Sequence, residues 1–540
     1  MSSNTVFLPL TAAAAILFSV ASAAADAPGA LAPADTFAKA RARMLRIEQS
    51  AEAPVEYRVQ QAVPCTGGTA GPFPCDGIDL LSFLPLNTIG GGNGNDIWGW
   101  TDPATGTEYA LMGRTNGTAF VDISDPENPV YVANLPTQTS NSTWRDIKTR
   151  GNFAFIVSEA GGHGMQVFDL TQLAGVSNPP QTLAPDTVYS GFGNAHNIVV
   201  NEDSGFAYAV GTSTCSGGLH MVDISNATSP QFAGCVSSDG YTHDAQCVNY
   251  VGPDPDYQGR EICINSNEDT VTIYDVTDKA APVQVSRTGY AGAEYTHQGW
   301  LTEDHRYFLL DDELDEIFNG NNTRTRIWDM TNLDAPVIIG VEDGPTSATD
   351  HNQYVHDGKV YQANYRAGLR VFDLSDIANG NLIEAGFFDI YPQNDSASTN
   401  GAWSVYPYFD SGTVVVSGIE QGLFMVRLSD NGGSDFELQP ALPGVAGEAN
   451  TWTTLNGTPG VAHLVFFGFA EGSSTINIGP CQNVTTGLVN ARGYAFGLSD
   501  AEGSATAFRN VAAALAGVTV YFQAIDLATC QVSNTTATTF

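Results

Sequence analysis

Positive charge is scarce in this sequence. Its 540 residues hold 21 Lys and Arg against 58 Asp and Glu, a formal net charge of −37. Nucleic-acid binding needs basic patches that neutralise phosphates, and this balance argues against it. Long apolar runs are scarce too. One covers residues 6–20 and leads into Ala21-Ser22-Ala23, the small-residue pattern of signal-peptide cleavage. It is short for a membrane span and has no basic flank, and no second such run follows, so no transmembrane segment is expected. Familiar catalytic signatures are missing as well. There is no GxSxG elbow, no HExxH, no P-loop and no dinucleotide fingerprint after a strand. The cysteines lack the CxxC or Cys/His spacing of zinc sites.

What is abundant points to strands and tight turns. Glycine occurs 56 times and aromatic residues make up 10% of the chain, with Thr, Val and Asn recurring throughout. The expectation is an all-β protein. Eight cysteines behind an export signal suggest disulfides rather than free thiols. Eight cysteines allow about 105 pairings. Proximity suggests Cys65–Cys75, Cys215–Cys235, Cys247–Cys263 and Cys481–Cys530.

Two patterns repeat along the chain. The first is a His, a polar residue and a hydrophobic strand: His196-Asn197-Ile198, His243-Asp244-Ala245, His297-Gln298-Gly299 and His351-Asn352-Gln353. These histidines are spaced by 47, 54 and 54 residues. The second is a hydrophobic strand ending in Asp before a turn. It occurs at Phe120-Val121-Asp122, Val167-Phe168-Asp169, Met221-Val222-Asp223, Ile273-Tyr274-Asp275, Ile327-Trp328-Asp329 and Val371-Phe372-Asp373. Met425-Val426-Arg427 keeps the pattern with Arg in place of Asp. The Asp followed by Ser or Thr is turn chemistry, because a carboxylate accepts the N–H groups of the turn. Each unit divides into four strands, and a repeat of this length and content predicts a β-propeller. The last unit lacks its fourth strand. Leu80-Leu81-Ser82-Phe83-Leu84-Pro85 resembles Val132-Ala133-Asn134-Leu135-Pro136, so an N-terminal strand is expected to close a ring of seven blades.

The chain resembles the LVIVD-repeat proteins, and more closely the secreted family called choice-of-anchor B. The stretches that carry the resemblance include Asp96-Ile97-Trp98-Gly99-Trp100, Trp144-Arg145-Asp146-Ile147-Lys148, His163-Gly164-Met165-Gln166-Val167, Tyr295-Thr296-His297-Gln298-Gly299-Trp300 and Asn364-Tyr365-Arg366-Ala367-Gly368. They span roughly residues 60–430. The resemblance implies a surface or secreted propeller of uncharacterised biochemistry.

The expected organisation is a signal peptide over 1–23 and a linker or N-terminal arm over 24–77 with a Cys65–Cys75 loop. A seven-bladed β-propeller follows over 78–428, then a small β-sandwich of immunoglobulin or fibronectin type over 437–540. Residues 37–52 read as a helix-like piece of the arm, and 429–436 as a linker. The protein is expected outside the cell, released or held at the surface by non-covalent association.

In such a ring the first strand of each unit lines the channel. That would gather His196, His243, His297 and His351 at one mouth, with Arg145 and Asp146 in the matching place of the second unit. Trp403, with Asp96 or Trp98, would lie near them. Loops carrying Arg114, Glu159, His163, Asn267, Glu268, Asp311, Asp312, Glu313, Arg366 and Glu420 would come to the same face. Imidazoles suit a divalent transition metal, carboxylates a harder ion such as Ca²⁺, and Arg an anionic ligand. The other reading is that these groups only hydrogen-bond between neighbouring repeats and channel water. The acidic run 311–316 lacks EF-hand spacing and reads first as a solvated loop, second as a Ca²⁺ site. Two functions stay open. One is an exported propeller that binds a protein, a glycan or a surface polymer through its top-face funnel. The other is a metal-dependent enzyme using the His, Glu and Arg groups at the channel mouth.

Overall fold

Alternating apolar residues and Asp-Ser or Asp-Thr turns organise most of the chain into short antiparallel sheets. The computed structural model describes residues 62–429, 436–455, 457–500 and 503–540. The export signal, the helix-like piece at 37–52 and most of the linker at 429–436 lie outside the described residues. The protein is all-β, built of many small antiparallel sheets in an arrangement consistent with a propeller.

Seven sheets occupy residues 62–429. Sheet 1 starts at Gly94–Thr101 and continues through Glu108–Arg114, Gly117–Asp122 and Val130–Pro136, with Gln181–Thr182 added in parallel. Sheets 2 to 6 start at Arg145–Arg150, Asn197–Asn201, Asp244–Asn249, Thr296–Leu301 and Gln353–His356. Sheet 7 is Ala402–Tyr406, Val414–Gly418, Gly422–Leu428 and then Ile78–Pro85, which returns from the other end of the chain. The first strands of the seven sheets lie side by side in a closed order, sheet 7 meeting sheet 1.

The core follows the same ring. Each neighbouring pair of sheets shares its own apolar cluster. Trp100, Leu111 and Phe120 of sheet 1 meet Ile147, Ile156 and Phe168 of sheet 2. Ile97 and Met112 of sheet 1 meet Val415 and Met425 of sheet 7, which closes the circle. The strand-end Asp residues do the work expected of turn formers. Asp122, Asp169, Asp223, Asp275, Asp329 and Asp373 each accept the backbone N–H two residues on, at 2.7–3.0 Å. Just before that Asp, five sheets carry a β-bulge, for example between Ile273 and Tyr274 and between Val371 and Phe372. The extra residue sharpens the local twist at the outer strand.

Two features are additional to the repeat. Thr69–Ala70 and Phe73–Asp76 extend the outer edge of sheet 6, where Cys75 pairs with Phe388. The acidic run 311–316 is no solvated loop: Asp311, Asp312, Glu313, Asp315 and Glu316 are all 2% exposed or less, because Tyr295, Leu314 and the short helix Asp315–Asn319 fold it inward. The cysteines lie in four pairs: Cys65–Cys75, Cys215–Cys235, Cys247–Cys263 and Cys481–Cys530. After residue 436 come a three-stranded, a four-stranded and a two-stranded sheet, the first two sharing a core of Phe436, Trp452, Val465 and Phe522. No helix among the described residues is long and apolar enough to cross a membrane.

Candidate functional site

The inner strands run in a common direction, so equivalent positions of successive repeats fall at one level of the ring. His196, His243, His297 and His351 stand at or near the starts of the inner strands of sheets 3 to 6. Their rings follow one another in an arc, with centroids 4.3, 4.3 and 4.4 Å apart. All four are buried.

Each ring is oriented through Nδ1. His243 Nδ1 lies 3.0 Å from the carbonyl oxygen of His297, and His351 Nδ1 lies 2.5 Å from that of Trp403. A carbonyl only accepts, so both rings carry their proton on Nδ1 and present a lone pair at Nε2. His297 Nδ1 lies 3.0 Å from Asp311 Oδ1, an oxygen that already accepts the Gln298 N–H. His196 Nδ1 is 2.8 Å from Glu159 Oε1. Four rings thus have Nδ1 engaged by a carbonyl or a carboxylate, the arrangement that fixes metal-ligating histidines.

Glu313 faces the Nε2 side of the arc. Its Oε2 is 3.7 Å from His297 Nε2 and its Oε1 is 3.8 Å from His351 Nε2. These gaps are too long for hydrogen bonds. They suit donors sharing one ion, since two ligands each about 2.0–2.1 Å from zinc stand roughly 3–4 Å apart. Donor atoms of His243, His297 and Glu313 all lie within 4.8 Å of one another. Oε2 of Glu313 has no hydrogen-bond partner, while Oε1 accepts the Tyr365 hydroxyl at 2.7 Å. Tyr365 holds a left-handed backbone, φ 36°, a strained conformation of the kind that clusters at functional sites. Burial pushes the Glu313 carboxyl up to about 8, with Asp350 and Asp312 adding to it. Burial pulls His351 down to about 3 against the opposing bond to Trp403 O, and burial with the adjacent His243 and His351 rings holds His297 well below the ordinary imidazole range. Burial therefore favours the neutral imidazole at His297 and His351, the form that binds metal.

The remaining sequence candidates divide. Glu159 joins the arc through His196. His163 accepts from Arg145 Nη1 at 3.1 Å, donates to Gly164 O, and is pulled down to about 4 by burial and by Arg145. Asp146 lies along the channel rather than at its mouth, in a buried network where Lys148 Nζ reaches Asp146 at 2.6 Å and Asp96 at 3.2 Å. Burial pushes the nearby Asp244 up to about 7. Asn267 bonds Asp239, Glu268 bridges to Thr296, and Asp312 accepts from Tyr290 and two backbone N–H groups. Arg366 is held by Asn394, Ser396 and Asn400. These last four tie their loops to neighbouring segments. Trp403 lies 5.1 Å from His351, as the ring geometry predicts.

Trp98 lies at the opposite end of the inner strands. There a cavity of about 600 Å³ is lined by Trp98, Trp300, Tyr354, Tyr406, Tyr408 and Lys148, among others. Trp98 and Tyr354 meet edge to face at 5.4 Å, and Lys148 Nζ sits 4.5 Å above the Trp98 ring. These aromatics come from the far ends of sheets 1, 5, 6 and 7. Only the direction of the inner strands unites them, and the spacing of the His motif gives no hint of that end.

Comparison with known proteins agrees with the repeat. The LVIVD repeat matches residues 107–137 and 192–238, which fall in sheets 1 and 3. No curated protein matches the sequence. Among solved structures, a protein from Lactobacillus plantarum is similar at 17% identity and a TM-score of 0.38, covering 66% of this chain and 91% of its own. The periplasmic gluconolactonase of Pseudomonas aeruginosa is similar at 13% identity and a TM-score of 0.37, covering 55% of this chain and 84% of its own.

Proposed function

We propose that this chain is an exported seven-bladed β-propeller that binds a divalent transition metal at one mouth of its channel. His243, His297 and Glu313 would hold the ion, with His351 and His196 beside them. One observation carries the reading: four successive imidazoles have Nδ1 engaged, and a buried Glu carboxylate meets two of their Nε2 atoms at ligand-like separations. A bound ion would supply Lewis acidity or an activated water to a polar ligand. The chain's own part is to hold His297 and His351 neutral and to keep Glu313 positioned through Tyr365. The seven sheets closed by Ile78–Pro85 support the blade count, the shared core after residue 436 supports a C-terminal sandwich, and the cysteine pairs fit an oxidising compartment. Metal analysis of untagged protein tests the proposal. About one Zn, Fe, Cu, Mn or Co per chain is expected, falling to background in a His243→Ala/His297→Ala variant. Folded wild-type protein that neither carries nor takes up such an ion would refute it.

A second reading rests on the aromatic bowl at the other end. Indole and phenol faces around a cation favour a ligand with flat apolar faces and polar edges, and a glycan of a surface polymer has both. In this reading the binding face lies opposite the histidines. Loss of glycan binding in Trp98→Ala or Trp300→Ala, with His243→Ala unaffected, would support it. The reverse pattern would return the ligand to the His end.

A further inference from the structure

Six carboxylates are buried around the end of sheet 5: Asp311, Asp312, Glu313, Asp315, Glu316 and Asp350, none more than 3% exposed. One guanidinium answers them directly, Arg326, whose Nη2 lies 2.5 Å from Asp315 Oδ2. Buried carboxyls on this scale need paired cations, a metal or protonation. Three of the six form a group of their own. Ligand oxygens of Asp315, Glu316 and Asp350 lie within 4.8 Å of one another, all three residues buried.

Several oxygens of this group lack a hydrogen-bond donor. Glu316 is 2% exposed, no N–H or hydroxyl donor reaches its carboxylate oxygens, and its carboxyl lies within hydrogen-bond reach of the Asp350 carboxyl. Asp350 Oδ2 accepts the Arg324 N–H at 3.1 Å, but no N–H or hydroxyl donor reaches its Oδ1. Neutral oxygens accompany them. The hydroxyl of fully buried Thr349, next to Asp350, is unpartnered, as are Thr323 Oγ1, Thr346 Oγ1 and Asn321 Oδ1. Thr323 N donates to Thr346 O at 3.1 Å, and Asn321 Nδ2 to Asp315 Oδ1 at 2.9 Å, so the two segments that carry these groups are tied together beside the cluster.

We propose that Asp315, Glu316 and Asp350 form a calcium site, completed by neutral oxygens of segments 321–323 and 346–349. The donor set is all oxygen, with carboxylates and hydroxyls mixed, which suits a hard ion rather than a nitrogen-seeking one. Oxygens at about 2.3–2.6 Å from one Ca²⁺ lie no more than roughly 5 Å apart, the spread seen here. No histidine takes part, so the site is distinct from the arc and does not rest on it. Its place gives it a structural consequence: Asp350 precedes His351 and Asp315 follows Glu313 by two residues. A cation there would fix both segments from behind the arc.

The test uses the whole protein, stripped with EGTA and titrated with Ca²⁺ by calorimetry and thermal melting. One Ca²⁺ per chain is expected, with a midpoint rise of roughly 3–5 °C at about a hundredfold excess over the dissociation constant. Glu316→Gln/Asp350→Asn should lose that rise yet keep its transition-metal uptake. His243→Ala/His297→Ala should do the opposite, which separates failure of this site from failure of the other. If the double carboxylate variant does not fold, terbium luminescence of the wild type, excited through nearby Tyr290 and displaced by Ca²⁺, serves instead. Absence of both calcium heat and displaceable terbium emission overturns the proposal. So does a Glu316→Gln variant that melts higher than wild type in EGTA and alike in calcium, because the carboxylates would then share a proton instead of an ion.

Discussion

The ring of His243 is oriented by the backbone of the next histidine: its Nδ1 donates to the carbonyl of His297 across 3.0 Å. His351 is oriented the same way by Trp403 O. The direction of each Nε2 lone pair is thus set by how one inner strand sits against its neighbour. Ligand geometry and the packing of sheets 4 to 7 are one property, so removing a bound ion should loosen those sheets. Chelation is expected to lower the melting midpoint, and hydrogen exchange should rise first in the inner strands at 244–249 and 296–301.

The Nδ1 partners offer a finer test than the ligands. Asp311 accepts from His297 and from Gln298 N, so Asp311→Asn keeps the shape but weakens the hold on the ring. Loss of such a partner typically costs about 10–100-fold in metal affinity. Competition titration with a coloured chelator should show a loss in that range. Glu313→Gln, which removes a donor outright, should lose more.

Lys148 is the cation among Asp96, Asp146 and Asp244 in the middle of the channel. Burial opposes its charge, yet Asp146 and Asp96 hold it well above its ordinary value. Removing one partner of a buried ion pair costs about 3–5 kcal/mol, because the other charge stays behind unpaired. Lys148→Met should therefore melt far below wild type. Asp244→Asn should change little, since burial already pushes that carboxyl to about 7 and it carries only part of a charge at neutral pH.

A pH dependence follows from His220 and His163. Burial pulls both to about 4, and Arg145 assists at His163. Their unfolded value is about 6.5. A depressed folded value means stability that is fully present above about 6.5 and lost as pH falls through about 4. Asp244, Glu313 and Asp389 work the other way: burial raises them to about 7, 8 and 7, so their contribution is present below the ordinary carboxyl range and lost as pH rises through those values. The net curve mixes both, and the difference between His220→Gln and wild type isolates one group. The wild type should lose stability relative to that variant between pH 6.5 and 4. Equal slopes would mean that His220 titrates alike folded and unfolded.

The repeat was legible because its two signals are local. An Asp at a strand end needs only a turn two residues long, and a His before a strand needs only the period that places it at one level of a ring. The sequence brings Asp311 and Glu313 to the same face as His297, but it reads 311–316 first as solvated, so their burial and their contacts with that ring were not legible. Their burial comes from Tyr295 and Leu314 folding over them, a tertiary effect with no period. The aromatic bowl escaped for a similar reason: Trp98, Trp300 and Tyr406 are spread over three hundred residues and meet only at the far ends of their strands. Arg366 and Asn267 looked like ligand groups by type, but residues of adjoining loops use their polar atoms.

Closure of the ring depends on a contact between distant parts of the chain. Phe83, on the N-terminal strand, stacks on Phe424 at 4.2 Å, and Phe73 packs edge-on against the same ring at 5.3 Å. Phe424 is fully buried and stands opposite Phe83 in the strand register. Phe→Ala at such a position costs about 3–5 kcal/mol, from lost transfer energy and the cavity left behind. Phe424→Ala and Phe83→Ala should each destabilise in that range. Because they remove two halves of one contact, the double variant should lose less than the sum. Deleting residues 62–85 goes further, since it uncovers the edge of Gly422–Leu428. An open edge of buried apolar strand invites pairing with another chain. The deletion should therefore aggregate on light scattering, and adding a peptide of residues 76–87 should suppress that aggregation if edge exposure is its cause.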